Sequence, residues 1–528
     1  MVLLPAPTRS KEGKGAGSHF MAEQRKDRLK RQSIIESNDL QQGIKKKIIR
    51  GAGFSVFAQT ANYAIQTVGT IIMARLLVPE DFGLVTMVVT FSLLIQNFGL
   101  NGFTEAVVQS EEITQNQMSR LFWVNLMIMS ALTLGFLAAS PLIVWFYKEP
   151  QLKRISMVLA FTILFGGLST CHLALLTRNM KFKIYSMVQV GAALLSTGLG
   201  VLMALGGYGY WSLVLRRLSL PLITAILAWL FCRWLPSLPG KGPSIRPLLS
   251  FGFKTYGNFL LSYIRNNLDR ILIGKAFGKA PLGHYDRANQ LSSLLPNQLT
   301  IGLSGVGVAA LSRLRNDPKR YLGYFEKSLA ILSFVGFPGS ILLTLIGKDI
   351  IIFLLGKNWS TAGDIFVALG PAIGVFVIYN TSTWLHISLG RPDRLLKWSI
   401  GVLIASALAY TIGLKYGPLG VAIAYSTLFY VLLVPALHYA GRPMKIKVSF
   451  YFSIIWKYWM ASFSAGAIFW LIFHVLGVPS SFYTQLSLFA RITLGSVIYL
   501  LIYLSLIYVL FKGFKPLSLL VSTVKEIF

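Results

Sequence analysis

Apolar runs of about twenty residues recur along the chain. They lie at 54–77, 84–104, 119–146, 155–176, 184–206, 210–232, 248–274, 286–311, 322–347, 363–389, 395–413, 418–438, 451–476 and 485–511. Each is long enough to cross the hydrocarbon core of a bilayer as a single helix. A helix is also the one open-ended element that satisfies its own backbone groups in lipid. The pattern predicts an all-α polytopic membrane protein with about fourteen transmembrane helices. The seventh and eighth runs carry the most charge.

The runs repeat. Gly53-Phe54 recurs as Gly252-Phe253, Arg75 to Gly83 (RLLVPEDFG) aligns with Lys275 to Gly283 (KAFGKAPLG), and Asn97 aligns with Asn297, at offsets of 199 to 200. Tyr208-Gly209 pairs with Tyr416-Gly417, each just ahead of a run. Six runs separate the copies, so both have the same orientation in the membrane. Two parallel six-helix lobes around a central cavity follow, related by an axis along the membrane normal, with two C-terminal helices appended. The expected divisions are a basic, disordered cytoplasmic arm (1–50), an N-terminal lobe (51–235), a cytoplasmic linker (236–247) and a C-terminal lobe (248–440). Residues 441–528 hold the last two helices and a tail.

Composition agrees with lipid as the solvent. Of 528 residues, 54% are hydrophobic and 13% charged, with a mean hydropathy of +0.61. Soluble domains carry roughly twice that charged share. Lys and Arg number 50 against 19 Asp and Glu, a net charge of +31. That excess invites a nucleic-acid reading, but the cations sit in short gaps between apolar runs, as the positive-inside rule requires. With a cytoplasmic N-terminus, nineteen cations from Arg178 to Lys525 fall in inner loops and tail, beyond those of the N-terminal arm, and eight, from Lys148 to Lys415, in outer loops. One inner loop, 105–117, dissents with Glu105, Glu111 and Glu112, but acidic residues weigh little in the rule. The chain is therefore placed in the cell inner membrane with both termini cytoplasmic and no nucleic-acid partner. The basic run Arg25–Arg31 is positioned to rest on anionic lipid. No cleavable signal peptide is visible, so the first spanning helix starts insertion. Cys171 and Cys232 lie in apolar runs without metal-ligand spacing and read as free thiols. There is no P-loop, HExxH or nucleophile elbow, and the reading is a non-enzyme without cofactor or metal.

The polar residues inside the runs carry the chemistry. Lys254, Asn258, Ser262, Arg265 and Asp269 are spaced 4, 4, 3 and 4, one stripe on one helical face. Facing lipid, each charge costs at least about 2.5 kcal/mol, so the stripe faces protein or water. Two readings stand: the wall of a hydrated cavity, or a buried pair of Arg265 with Asp269 at i, i+4. Shifted back by one repeat, the stripe meets Ser55, Gln59, Gln66 and Thr70, with Asn62 completing a neutral stripe on the first helix. The eighth helix adds Asp286, Gln290, Ser293, Asn297, Thr300 and Ser304, and the second helix Thr86, Thr90, Asn97 and Thr104. Four helices thus aim polar faces at one cleft. Arg216 and Arg217 on the sixth helix are further candidates, with Arg216 taken into the site; the bland reading is snorkelling. His386 and His474 read as hydrogen-bonded fillers, Asp364 as a charge on a helix N-terminus, and Lys457 and Arg491 as snorkelling cations.

With these residues in hand, the chain resembles the oligosaccharide flippases of the MOP superfamily, in particular the polysaccharide-transporter branch related to Wzx and the colanic-acid exporter type. The resemblance spans most of 48–511 and rests on ARLLVPEDFG (74–83), LLTRNMKFK (175–183), NNLDRILIGKAFGKAPLGHYDRA (266–288) and LGRPDRLLK (389–397). It implies alternating access on an undecaprenyl-diphosphate-linked oligosaccharide, an O-antigen, capsule or exopolysaccharide repeat unit. It also implies cavity cations that attract diphosphate or acidic sugars, a role falling to Lys254, Arg265 and Arg270. A coupling ion (H+ or Na+) and the polysaccharide polymerase and export machinery are further implied partners. Asp269 would neutralise Arg265 between cycles or bind that ion. The arm is longer than the family pattern, which makes Met21 an alternative start. A lipid II flippase is the close alternative, and a cation-coupled multidrug exporter of the same superfamily, which would carry an acidic site, the more distant one.

Overall fold

The computed structural model describes residues 44–110, 112–238, 244–474 and 486–527. Among them run sixteen α-helices. The first seven are α1 (Ile44–Leu76), α2 (Pro79–Gln109), α3 (Gln115–Tyr147), α4 (Leu152–Arg178), α5 (Phe182–Leu205), α6 (Tyr210–Cys232) and α7 (Arg246–Phe277). The eighth apolar run becomes two helices, α8 (Lys279–Ser292) and α9 (Leu294–Arg313). Then come α10 (Pro318–Leu355), α11 (Ser360–Ser388), α12 (Pro392–Gly413), α13 (Gly417–Gly441), α14 (Val448–His474), α15 (Leu488–Phe511) and a short α16 (Lys515–Ile527). With α8 and α9 taken as one broken rod, α1 to α15 make fourteen rods of membrane-crossing length. Eight segments of the described residues are also apolar enough to cross by composition. One of these segments covers both α12 and α13, and rods α1, α2, α7, α8–α9 and α14 are not among them. Of the expected disordered arm (1–50), residues 1–43 lie outside the described residues, while 44–50 open α1 as helix, a correction to that expectation. The side chains of His474, Ser55, Lys254, Asn258, Thr300 and Ser304 also lie outside the described residues.

Local chemistry sets the helix ends. Thr114 Oγ1 accepts from Gln117 N at 3.2 Å while Gln117 Oε1 accepts from Thr114 N at 3.0 Å, a reciprocal cap that starts α3. The break between α8 and α9 follows from Pro296, which has no N–H for the Ser292 carbonyl and crowds it. Gly209 and Gly417, the repeat-related glycines ahead of α6 and α13, have φ of 53° and 75°, which a side chain would oppose.

Packing repeats with the sequence. In the first half α4 is the buried centre, against α2, α3 and α6; in the second α11 holds that place, against α8, α9, α10 and α13. Of the apolar windows, 72% of that in α4 and 67% of that through α11 are buried, against 22% for α15. Helix α5 packs on α6 and α1, and α12 on α13 and α7, completing the correspondence. Helices α14 and α15 pack on each other and on α10, outside the second half.

The halves meet on their shared axis. A β-carbon on Gly83 would lie 1.8 Å from the Lys279 carbonyl oxygen, and one on Gly283 would lie 1.9 Å from the Pro79 carbonyl oxygen. Two positions one repeat apart therefore make the same backbone-to-backbone approach, each against the other's helix, which only glycine allows. Three residues on, Thr86 Oγ1 donates to Asp286 Oδ2 at 3.1 Å, again a residue meeting its own counterpart. Helices α2 and α8 thus cross on the pseudo-twofold axis. The two halves are not seated alike around it. Helix α7 lies along α2, with Tyr263 and Tyr256 hydroxyls donating to the Thr90 and Leu94 carbonyls at 2.8 Å each. Helix α1 packs on α5 and reaches α10 at its end.

Candidate functional site

At the crossing of α2, α7 and α8 lies a buried ionic cluster. Asp286 accepts from Arg270 Nε at 2.6 Å, from Arg287 Nη2 and from Thr86. Arg270 also donates from Nη1 to Asn267 Oδ1 at 2.7 Å, and the Arg287 guanidinium lies 4.8 Å from the Phe82 ring centre. Asp269 accepts from the Tyr285 hydroxyl at 2.8 Å and from the Arg270 backbone N–H at 2.9 Å. This corrects the pairing reading of the seventh helix. Asp269 and Arg265 share a helix face, but Tyr285 from α8 takes the carboxylate. Arg270 is an ion-paired strut between α7 and α8, where the sequence offered it as a third cargo cation.

Arg265 stands outside the cluster. Its side chain donates from Nε to Asn266 Oδ1 at 3.3 Å and makes no ion pair among the described residues. It faces a cavity of about 240 Å³ within the second half, walled by α7, α8, α9, α11, α12 and α13. Asn289 and Asn297 bring amide groups into that space, and Tyr410, Tyr425 and Phe429 bring ring faces. A cation, amides and aromatic rings are the set that grips an anionic, hydroxylated ligand.

A second cavity lies between the halves, lined by Gln66, Thr70, Gln290 and the three cations Arg216, Arg217 and Arg287. Its volume is about 60 Å³, room for a few waters. Arg216 is committed to holding α6 on α1: Nη2 donates to the Gln66 carbonyl at 3.0 Å and Nη1 to Thr70 Oγ1 at 3.1 Å. Arg217, one residue and about 100° farther round the helix, is exposed and has no hydrogen bond or ion pair among the described residues. It also lines a third cavity, of about 170 Å³, in the first half with Gln96, Gln189 and Thr224. Snorkelling describes neither arginine.

The residues picked out in the sequence therefore fall in several places. Arg265, Asp269, Arg270 and Asn297 line the second-half cavity, and Gln66, Gln290 and Arg216 the cavity between the halves. Asn62 accepts from Gln66 Nε2 at 2.9 Å along α1, Gln59 is exposed on the same helix, and Asn97 donates to the Leu93 carbonyl at 2.8 Å within α2. Lys254 and Asn258 lie outside the described side chains. The single eighth-helix stripe does not survive the Pro296 break: Asp286 turns to the interface and Asn297 to the second-half cavity. Arg287 and Tyr285 were missed, although both stand in the HYDR segment (284–287) and the repeat offset points from Thr86 to their neighbour Asp286. Other expectations shift too. Asp364 is ion-paired with Lys348 at 2.7 Å, and Arg491 with Asp349 at 3.2 Å. His386 is buried with neither ring nitrogen hydrogen-bonded, packed 5.6 Å from Tyr439, so it is a filler without the expected bonds. Lys457 reaches the Leu510 carbonyl at 3.5 Å. Cys171 and Cys232 are free and buried.

The sequence and the fold are each similar to those of known proteins. The chain is 26% identical over 374 residues to the succinoglycan biosynthesis transport protein ExoT of Rhizobium meliloti (strain 1021), covering 69% of this chain and 74% of that one. It is 24% identical to the teichuronic acid biosynthesis protein TuaB of Bacillus subtilis (strain 168), covering 70% and 77%. With the lipopolysaccharide biosynthesis protein WzxC of Escherichia coli (strain K12) it shares 21% over 78% of this chain and 86% of that one. In fold it is similar to the lipid II flippase MurJ in its inward closed conformation, with a TM-score of 0.69, 16% identity and coverage of 87% and 99%. It is also similar to an inward-facing multidrug resistance MATE family transporter of the MOP superfamily, with a TM-score of 0.60, 13% identity and coverage of 74% and 98%. Residues 72–364, more than half of the 528, match the family described as "Polysaccharide biosynthesis protein", and the chain belongs to that family.

Proposed function

We propose that the chain is a flippase that carries an undecaprenyl-diphosphate-linked oligosaccharide from the cytoplasmic to the periplasmic leaflet by alternating access, without bond chemistry. The observation that carries this reading is the pair of unpaired arginines, Arg265 and Arg217, facing separate internal cavities of a membrane protein whose relatives serve polysaccharide biosynthesis and transport. A diphosphate leaving water loses its hydration, and guanidinium forks replace it with paired, charge-assisted hydrogen bonds. Cations left without carboxylates in low dielectric favour an anionic cargo over a cationic drug. Helix α1 packs mainly on α5 where α7 packs on α2, and in this reading the polyprenyl tail stays in lipid beside α1 while the headgroup crosses. In this reading residues 51–235 and 248–440 move as lobes, residues 441–528 ride on the second, and an H+ or Na+ gradient drives the cycle. Polysaccharide polymerase and export proteins take over the product.

Cells lacking the protein are expected to build the lipid-linked repeat unit and keep it in the inner leaflet, beyond reach of an external glycan-oxidising probe. Purified protein in vesicles should restore flipping of that lipid. Restoration of a peptidoglycan defect instead, with no effect on the glycan lipid, would favour the lipid II alternative; drug resistance alone would favour the multidrug one.

Topology makes a separate prediction. The face at which α1 and α7 end is assigned to the periplasm from the loop charges. Both native cysteines are buried, so single introduced cysteines report cleanly. A membrane-impermeant thiol reagent outside the cell should label Tyr416→Cys, in the α12–α13 connection, and miss Lys447→Cys. The reverse pattern would invert the orientation.

A further inference from the structure

Two cations one repeat apart do the same thing at the same face. Arg75, in the last turn of α1, donates from Nε to the Leu354 carbonyl at 2.9 Å and from Nη2 to the Phe353 carbonyl. Both acceptors lie in the last turn of α10, where carbonyls have no helical partner and the helix dipole is negative. Lys275, in the last turn of α7, donates from Nζ to the Phe146 carbonyl, in the last turn of α3, and lies 4.6 Å from the Phe146 ring centre. The first helix of each half thus caps the third helix of the other. Neighbouring contacts follow the same symmetry: Trp359 Nε1 donates to the Ala74 carbonyl at 2.8 Å, while Gly274, the counterpart of Ala74, sits against Tyr147. The Gly83–Gly283 crossing lies between the two caps, and the cavity between the halves beneath it is closed to about 60 Å³.

We propose that Arg75 and Lys275 are twin latches that hold the two halves shut at this face and set how often the cavity opens toward it. A rotation of one half against the other about the shared axis pulls both caps apart together, so the closed state is held by two like contacts that yield in one step. A helix-end carbonyl accepts equally well from water, so the contacts release without leaving a group unsatisfied. The inference rests on the alternating-access part of the proposed function and not on its cargo.

The test uses the full-length protein with Leu220→Cys, a position lining both the cavity between the halves and the first-half cavity, in right-side-out and inverted vesicles, read by the rate of labelling with an impermeant thiol reagent. Arg75→Gln and Lys275→Gln should each speed labelling from the latched face roughly ten-fold, as loss of the cation from one cap implies, and the double variant about a hundred-fold. Arg75→Lys and Lys275→Arg should stay near the parent. Gly83→Ala, which forces α2 off α8 without changing charge, should mimic the single variants and carries the test if the double variant does not accumulate. Unchanged labelling, or labelling that rises equally from both faces as general loosening would give, overturns the latch. No glycan enters the assay, so that outcome leaves the transport reading standing, while failed flipping with intact latch behaviour would do the opposite.

Discussion

Arg265→Ala is expected to stop surface-glycan export while leaving the amount of protein in the membrane near normal. The side chain faces the second-half cavity and makes no ion pair among the described residues, so its removal strands no carboxylate. Asp269 keeps its hydrogen bonds from Tyr285 and the Arg270 backbone. A cargo diphosphate, by contrast, loses a planar fork, two charge-assisted hydrogen bonds of about 1.5–3 kcal/mol each. Flipping of the lipid-linked glycan in vesicles should therefore fall by about a hundred-fold or more. Arg265→Lys should recover part of it, because charge is kept and the fork is lost. Combining Arg265→Ala with Asp269→Ala separates the two accounts. If the pair were merely structural, deleting both members would restore export. The geometry predicts that the double variant stays folded and inactive, and restored export would remove Arg265 from the cargo path.

The membrane makes the helices of this chain easy to read and their partners hard. Backbone groups in lipid force each apolar run into a helix, so the rods fall close to where the runs lie, apart from the eighth, which Pro296 breaks in two. The repeat was legible too: offsets of 199 to 200 placed Gly83 over Gly283 and Thr86 over Asp286, the positions where α2 meets α8. What spacing along one helix does not reveal is which neighbour arrives from another. Arg265 and Asp269 have the spacing of an ion pair, yet Tyr285 claims the carboxylate from α8. Arg216 and Arg217 are adjacent in sequence, but a turn of about 100° per residue sends one to the α1 backbone and the other into the cavities. Arg287 carried no periodic signal at all, since its role depends on Phe82 and Asp286 meeting at the axis.

That meeting sets the largest expected effect on stability. Asp286 is the one carboxylate among the described residues that holds two guanidinium groups, Arg270 and Arg287, and it also binds Thr86 across the axis. Asp286→Ala leaves the buried Arg287 and the half-buried Arg270 without their ion-pair partner, and loss of one partner from a buried pair costs about 3–5 kcal/mol. The variant should accumulate poorly in the membrane and unfold at a clearly lower temperature in detergent. Asp286→Asn keeps the volume and the hydrogen bond from Thr86 but loses the charge, so it should sit between the parent and alanine. Asp269→Asn should be milder, near the 1–3 kcal/mol of a disturbed neutral hydrogen bond, because its partners are a hydroxyl and a backbone N–H. Arg287→Gln added to Asp286→Asn should recover part of the loss, by removing one stranded cation while Phe82 keeps a side chain to pack on. If Asp286→Ala instead accumulates and melts like the parent while flipping stops, the cluster is not the strut between the halves, and Asp286 belongs with the groups that act during transport.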